Sequence, residues 1–198
     1  MRLSVEIEVK QSRFVYYADM LIYPGIILGF LLQDLIGRRF VLHPRFWLAF
    51  LAGTMLWTLL EYVLHRFVYH EVAGIKELHG MHHEHPNDLV GSPLWSTLAA
   101  FLVLSIALVL LAGVEIGSGL TLGLMLGYVA YLVVHDGVHR WQLRENSWMR
   151  SYRLWHLRHH RHPVPCNFGV TTGFWDIVFG TAVASERAHG TRPVASSK

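Results

Sequence analysis

The sequence predicts an all-α protein embedded in a membrane, and three observations carry that prediction. Apolar residues make up 53% of the 198 and gather into four long runs instead of spreading evenly, the pattern of membrane-spanning helices. Twelve of the 14 histidines fall within residues 65–85 and 135–162, at or beyond the ends of those runs. Inside these windows they recur at i, i+3 and i+4, the spacing of one helix face. The length suits a single membrane-embedded domain over 1–198, with 1–14 as an N-terminal segment and a flexible tail over 185–198.

Residues 1–14 have no apolar core and do not read as a cleavable signal peptide. Leu3, Val5, Ile7 and Val9 alternate like a strand, but over too short a stretch to define one. The first apolar segment, Val15 to Ile36, carries Asp19 and Asp34 with 14 uncharged residues between them, so it reads as a weak span or a re-entrant segment. The second starts at Pro44, suited to a first helical position, and runs to Leu64, with Glu61 the only charge from Phe46 onward. The same helix then presents His65 and His70. The third, Leu94 to Ala112, has 19 uncharged residues and is the clearest span. After a Gly-rich turn with Glu115, the fourth runs from Leu120 to Val134 directly into His135. Trp141, Trp148 and Trp155 recur every seven residues, which predicts one interfacial helix along the lipid headgroups that delivers His156. The Gly- and aromatic-rich stretch NFGVTTGFWDIVFGT is expected to fold back under the histidines.

The second and fourth segments cross a bilayer in the same direction, so the histidines at their ends emerge on one side. Residues 65–93 must stay on that side, because the third segment begins there. With about four spans, the histidine side carries 14 of the 17 Lys and Arg residues, which places it at the cytoplasmic face. A single cysteine, Cys166, excludes an intrachain disulfide and a Cys-x-x-Cys zinc pattern, so any metal must be held by nitrogen. The basic residues are scattered among Trp and Leu with no stripe, which argues against nucleic acid.

The pattern His-x-x-His-His-x-His-Pro occurs twice, as HGMHHEHP at 79–86 and HLRHHRHP at 156–163. Each is preceded by a histidine pair, His65 and His70 in one case, His135 and His139 in the other. Helical spacing puts His79, His82 and His83 on one face, and His156, His159 and His160 on another. His135 and His139 also point the same way. His65 and His70 diverge by roughly 140° on a regular helix, so they ligate separate metals or sit where the helix ends. Ten imidazoles exceed what one ion binds, which predicts a site for two ions with about five histidines each. His85 and His162 fall off the shared faces, each just before a proline, and read as surface or outer positions before they read as ligands. His43 and His189 read as structural. Glu61, Asp88, Asp136 and Asp176 lie beside the boxes as candidate acceptors for the outer N–H groups of the ligand histidines. No nucleophile elbow, P-loop or dinucleotide fingerprint is present, so no catalytic group beyond the metal site is expected.

Taken together, EYVLHRFVYH, HGMHHEHP, HDGVH, HLRHHRHP and NFGVTTGFWDIVFGT resemble the fatty acid hydroxylase superfamily of integral-membrane histidine-box proteins, over roughly residues 45–181. The spacing in HRFVYH is closest to fatty acid 2-hydroxylases, whereas HDGVH is similar to carotenoid hydroxylases, and sterol desaturases are relatives. The resemblance implies four membrane helices under a cytosolic helical cap, with His65, His70, His79, His82, His83, His135, His139, His156, His159 and His160 binding two non-haem iron ions. Zinc is a substitute to expect in purified samples. It further implies O2 as co-substrate, a lipid substrate from the bilayer, and electrons from a separate cytochrome b5-, ferredoxin- or flavoprotein-like donor. No cytochrome b5-like segment is fused in this sequence.

The leading expectation is therefore O2-dependent oxidation of a lipid C–H bond, with hydroxylation of a fatty acyl chain first. Its alternatives are a carotenoid- or sterol-type hydroxylase or desaturase on the same scaffold, or a non-enzymatic protein that binds or transports metal ions. A transporter would place its ionisable ligands near the bilayer midplane. Here they gather at the span ends.

Overall fold

The computed structural model describes residues 11–183, which are helical with no strand among them. The alternation at 3–9, His189 and the tail over 185–198 lie outside the described residues. Helix α1 is Arg13–Ile36, opened by Ser12, whose Oγ accepts from Val15 N at 3.3 Å. At 1.5 Å per residue its 24 residues reach about 36 Å, longer than a ~30 Å hydrocarbon core, despite Pro24 inside it. The two aspartates do not break it, because both are buried and satisfied. Asp19 accepts from Tyr128 Oη at 2.6 Å and Thr97 Oγ1 at 3.0 Å, and Asp34 from Val41 N at 2.6 Å.

Helix α2, Pro44–Val63, starts at the predicted proline and runs into a π-helical turn, Leu64–Tyr69. Helix α3 is Ile75–Glu84 and α4 is Leu94–Arg140. Although α4 counts 47 residues, it is interrupted at Gly113, whose φ of 79° and ψ of 166° suit only glycine. A Cβ at Gly117 would stand 2.7 Å from Val109 Cα, whereas residues eight apart on a straight helix are about 12 Å apart. The chain therefore reverses at Gly113. Three helices, Arg13–Ile36, Pro44–Tyr69 and Leu94–Arg140, are long and apolar enough to cross a membrane, the last of them folded at this hairpin.

Helices α2 and the second half of α4 approach so closely that small residues are obligatory. A Cβ on Gly119 would meet Phe46 O at 2.6 Å, and one on Gly127 would press into the Trp57 ring. Around this seam Tyr23, Phe46, Trp57, Phe101, Leu122, Leu124, Met125 and Tyr128 form the core. Helix α5, Trp148–Arg161, and the short α6, Phe174–Val178, complete the order.

The tryptophan stripe does not form one helix. Helix α4 ends at Arg140, Trp141 follows it in extended backbone, and α5 begins only after Ser147. Trp141 instead donates its Nε1–H to Asp136 at 3.0 Å, Trp148 is exposed, and Trp155 packs on Gly173. Helix α5 does carry His156, as expected, and extends past His159 and His160 to Arg161.

Candidate metal centre

Four elements bring the histidine boxes together: the π turn after α2, helix α3, the end of α4, and α5. Within the π turn, the i→i+5 period puts His65 and His70 on the same side, their rings stacked 5.4 Å apart. Two groups of ring nitrogens result. In the first, His65, His70, His79, His83 and His159 offer nitrogens that all lie within 4.8 Å of one another. In the second, His82, His139, His156 and His160 do the same. The adjacent pairs His82–His83 and His159–His160 are divided between the groups, since successive residues on a helix point about 100° apart. His135 stands beside the second group, with ring centroids 4.7 Å from His82 and 4.9 Å from His139 and His156. His85 is exposed, and His162 bonds Val164 O through Nδ1 at 2.8 Å, so neither joins a group. His43 pairs with Glu115 at 3.3 Å, far along the chain from both.

The nitrogen spacing fits metal ions. In the first group Nε2 atoms face one another at 3.1 Å for His65–His79, 3.0 Å for His79–His83, 3.1 Å for His83–His159 and 3.2 Å for His70–His159. In the second, His139–His156 is 2.8 Å and His156–His160 is 3.1 Å. Two nitrogens at right angles around an ion at ~2.1 Å lie roughly 3 Å apart. Mutual hydrogen bonding does not explain the set. His65 and His159 spend their Nδ1 protons on the Phe168 carbonyl at 2.5 Å and the Cys166 carbonyl at 2.7 Å, which leaves each Nε2 a bare lone pair aimed inward. His82 is buried with neither ring nitrogen hydrogen-bonded among the described residues.

Burial keeps these imidazoles neutral, the form that binds metal. Loss of hydration, followed by repulsion from neighbouring imidazoles, holds His82 and His159 down at about 3 and His83 at about 4. Burial likewise depresses His79, His156 and His160, and His70 more mildly, since Glu71 offsets part of the effect.

The expected carboxylate partners are arranged differently. Glu61 accepts from Val170 N at 2.5 Å, Thr171 N at 2.8 Å and Thr171 Oγ1 at 2.6 Å. Asp176 accepts from Phe168 N and Gly169 N, both at 2.8 Å, and from Thr181 Oγ1 at 2.7 Å. Both clamp the 166–172 loop, and no hydrogen bond joins either to an imidazole among those described. Asp136 binds Arg140, Trp141 Nε1 and, at 3.3 Å, Tyr17 Oη, so it ties the end of α4 to the start of α1. Asp88 follows α3, its backbone N–H on His85 O at 2.9 Å. Asn167 is the residue that reasoning from spacing misses. It is fully buried at φ 54° and holds Val183 N at 2.7 Å, thereby setting the turn that aims the Cys166 and Phe168 carbonyls. The only sequence signal is an Asn between Pro165 and Gly169, where a left-handed residue is common.

Next to the first group lies a largely apolar cavity of about 240 Å³, lined by Trp57, Leu60, Leu64, Tyr69, Phe101 and Tyr128. The Tyr69 ring is 5.4 Å from His79 and 6.1 Å from His65, so this wall of the cavity adjoins the first histidine group.

Comparison with known proteins agrees with this geometry. The model of the family described as fatty acid hydroxylase matches residues 50–181. The dihydroceramide fatty acyl 2-hydroxylase FAH2 of Arabidopsis thaliana is 34% identical over 147 residues, covering 70% of this chain and 62% of that protein. The ceramide very long chain fatty acid hydroxylase SCS7 of Saccharomyces cerevisiae is 37% identical over 147 residues, covering 67% and 37% respectively. Human fatty acid 2-hydroxylase is 31% identical over 152 residues, covering 71% and 40%. The solved structure of full-length scs7p, in which only the hydroxylase domain is visible, superposes with a TM-score of 0.72 at 28% identity, covering 89% of this chain and 68% of that one. The chain thus spans between roughly a third and two thirds of the length of these curated relatives.

Proposed function

The chain belongs to the fatty acid hydroxylase family, and on that premise we propose that it hydroxylates the acyl chain of a membrane lipid at a di-iron centre, consuming O2. The observation that carries the reading is the pair of converging histidine groups beside an apolar cavity, with Tyr69 in the wall between them. The proposed ligands are His65, His70, His79, His83 and His159 for one ion, and His82, His135, His139, His156 and His160 for the other. Bound there, two iron ions would supply the reduction of O2 and the oxidising power to cleave a C–H bond. One oxygen atom would enter the lipid and the other leave as water, with two electrons from a separate donor protein and two protons.

The protein's own contribution is to hold and to orient. The buried, neutral imidazoles present lone pairs without first losing a proton. Trp57, Leu60, Leu64 and Phe101 receive a hydrocarbon chain from the bilayer and keep water from it. Helices α1 and α2 and the two halves of α4 supply four spans, with the reversal at Gly113 on the side away from the histidines. Since nine of the twelve basic side chains among the described residues then fall on the histidine side, the centre faces the cytoplasm.

The test is comparative lipid mass spectrometry of cells expressing this chain or its His82→Ala/His159→Ala variant. A lipid heavier by one oxygen atom only with the intact chain supports hydroxylation and names the substrate. Loss of two hydrogens would instead identify a desaturase, and matching profiles with iron and donor proteins present would sink the reading.

A further inference from the structure

The two histidine groups are held in unequal ways. In the first, His65 Nδ1 donates to Phe168 O and His159 Nδ1 to Cys166 O, and both carbonyls belong to one loop. That loop is fastened by two buried carboxylates. Asp176 receives the N–H groups of Phe168 and Gly169, and Glu61 receives those of Val170 and Thr171 together with the Thr171 hydroxyl. Five donors from four consecutive residues are thus pinned by two side chains that are 3% and 0% exposed. Among the described residues the second group has nothing comparable. His156 Nδ1, His160 Nδ1 and both nitrogens of His82 are buried with no hydrogen-bond partner among the described residues.

An outer hydrogen bond fixes the tautomer of a ligand imidazole, locks its ring and raises its basicity, and its loss costs ~10–100-fold in metal affinity. Resting on the two-ion reading above, we propose that the centre is asymmetric. The His65/His159 group is the tight position, and Glu61 and Asp176 are its positioning residues, acting through the 166–172 backbone. The His82/His156 group is the loose one, which fills last and empties first. Carboxylates beside a histidine site usually accept the imidazole N–H directly. Here they lie one peptide further out, so their removal loosens one ion and spares the other.

The experiment uses the full chain in lipid nanodiscs, loaded with Zn2+ as a redox-inert probe and titrated with a chelator while bound metal is counted. Wild type is expected to release its two equivalents in separate steps, ~10–100-fold apart in chelator strength. His156→Ala should retain the tight equivalent and His159→Ala the loose one, which assigns the steps to positions. Glu61→Ala and Asp176→Asn should each weaken the tight equivalent by a similar factor and leave the loose one unchanged; that retained equivalent reports an intact fold. Release of both wild-type ions in one step, or a tight step that both carboxylate variants leave unmoved, overturns the proposal. So does parallel weakening of both steps in both variants. A wild-type chain that binds fewer than two equivalents instead sinks the two-ion reading on which it rests.

Discussion

His65 and His70 stack their imidazoles 5.4 Å apart although they lie five positions apart in sequence, because the helix that carries them widens into a π turn over Leu64–Tyr69. On a regular helix the two rings would diverge, and only one could serve the first group. Replacing either by alanine should therefore remove ligation from the same ion. In each variant bound metal is expected to fall from two equivalents towards one, and lipid hydroxylation to drop beyond the ~100-fold upper range of an outer-partner mutation. Elemental analysis of purified protein checks the first expectation and lipid mass spectrometry the second. If His65→Ala and His70→Ala deplete different ions, the shared face is wrong.

His135 presents a sharper question, since it lies within ring contact of His82, His139 and His156 but outside the set of nitrogens that converge. Its ring also stacks on Tyr131 at 5.5 Å with an interplanar angle of 20°. As the proposed fifth ligand of the second ion, it should be required for full loading there. His135→Phe, which keeps the stacking, is expected to lower second-site occupancy and leave the first unchanged. Unaltered metal content would remove His135 from the ligand set.

The boxes were the legible part of this chain. Ligation demands one residue type at i, i+3 and i+4, and that pattern survives in the letters. The division of His82 from His83 and of His159 from His160 follows from the same arithmetic. Less of the surroundings can be read. A π turn has no spelling distinct from an α turn, so the agreement of His65 with His70 is invisible until the backbone is known. Glu61 and Asp176 stand near the boxes in sequence, yet their partners are amides of a loop more than a hundred residues from Glu61. The seven-residue tryptophan period continues across 141–147, where the chain is not helical, so a regular spacing there misreports one helix. Conversely, Asp19 and Asp34 look like breaks in the first span and prove to be its attachments.

Asp19 can be tested as an attachment. It receives Tyr128 Oη and Thr97 Oγ1, and so joins α1 to both halves of the α4 hairpin. Asp19→Ala leaves the buried Tyr128 hydroxyl without its acceptor, at a cost of about 1–3 kcal/mol, whereas Thr97 Oγ1 still has Leu94 O at 2.9 Å to donate to. Thermal unfolding in detergent should show a lower midpoint for Asp19→Ala and a smaller change for Asp19→Asn, whose carbonyl still accepts. Equal stability of Asp19→Ala and wild type would show that the carboxylate does not brace these helices.

Glycines 113 and 123 separate backbone strain from steric crowding. Nothing lies within 4 Å of a Cβ built on Gly113, so Gly113→Ala pays only for its φ of 79°, a penalty of about 1–3 kcal/mol. A Cβ on Gly123 would collide with the Phe50 carbonyl and stand 2.9 Å from Thr54 N. Relief there requires α2 to move away from the end of α4 that carries His135 and His139. Gly123→Ala is therefore expected to lower metal content as well as stability, and Gly113→Ala to lower stability alone. Both quantities can be read from the same purified samples.

Filling the cavity should separate lipid access from metal binding. Ala100 lines the cavity from the first half of α4 and is exposed. Ala100→Trp adds an indole where an acyl chain would lie, and touches no group that holds the 166–172 loop. Hydroxylated lipid should fall at least ~10-fold, about the loss of 1.4 kcal/mol of substrate binding, with two metal equivalents retained. Shorter acyl substrates should suffer less than longer ones, because they occupy less of the cavity. A variant that keeps full activity on long chains would mean that the substrate enters by another route, and the apolar cavity beside the first histidine group would then be only a packing gap between α2 and α4.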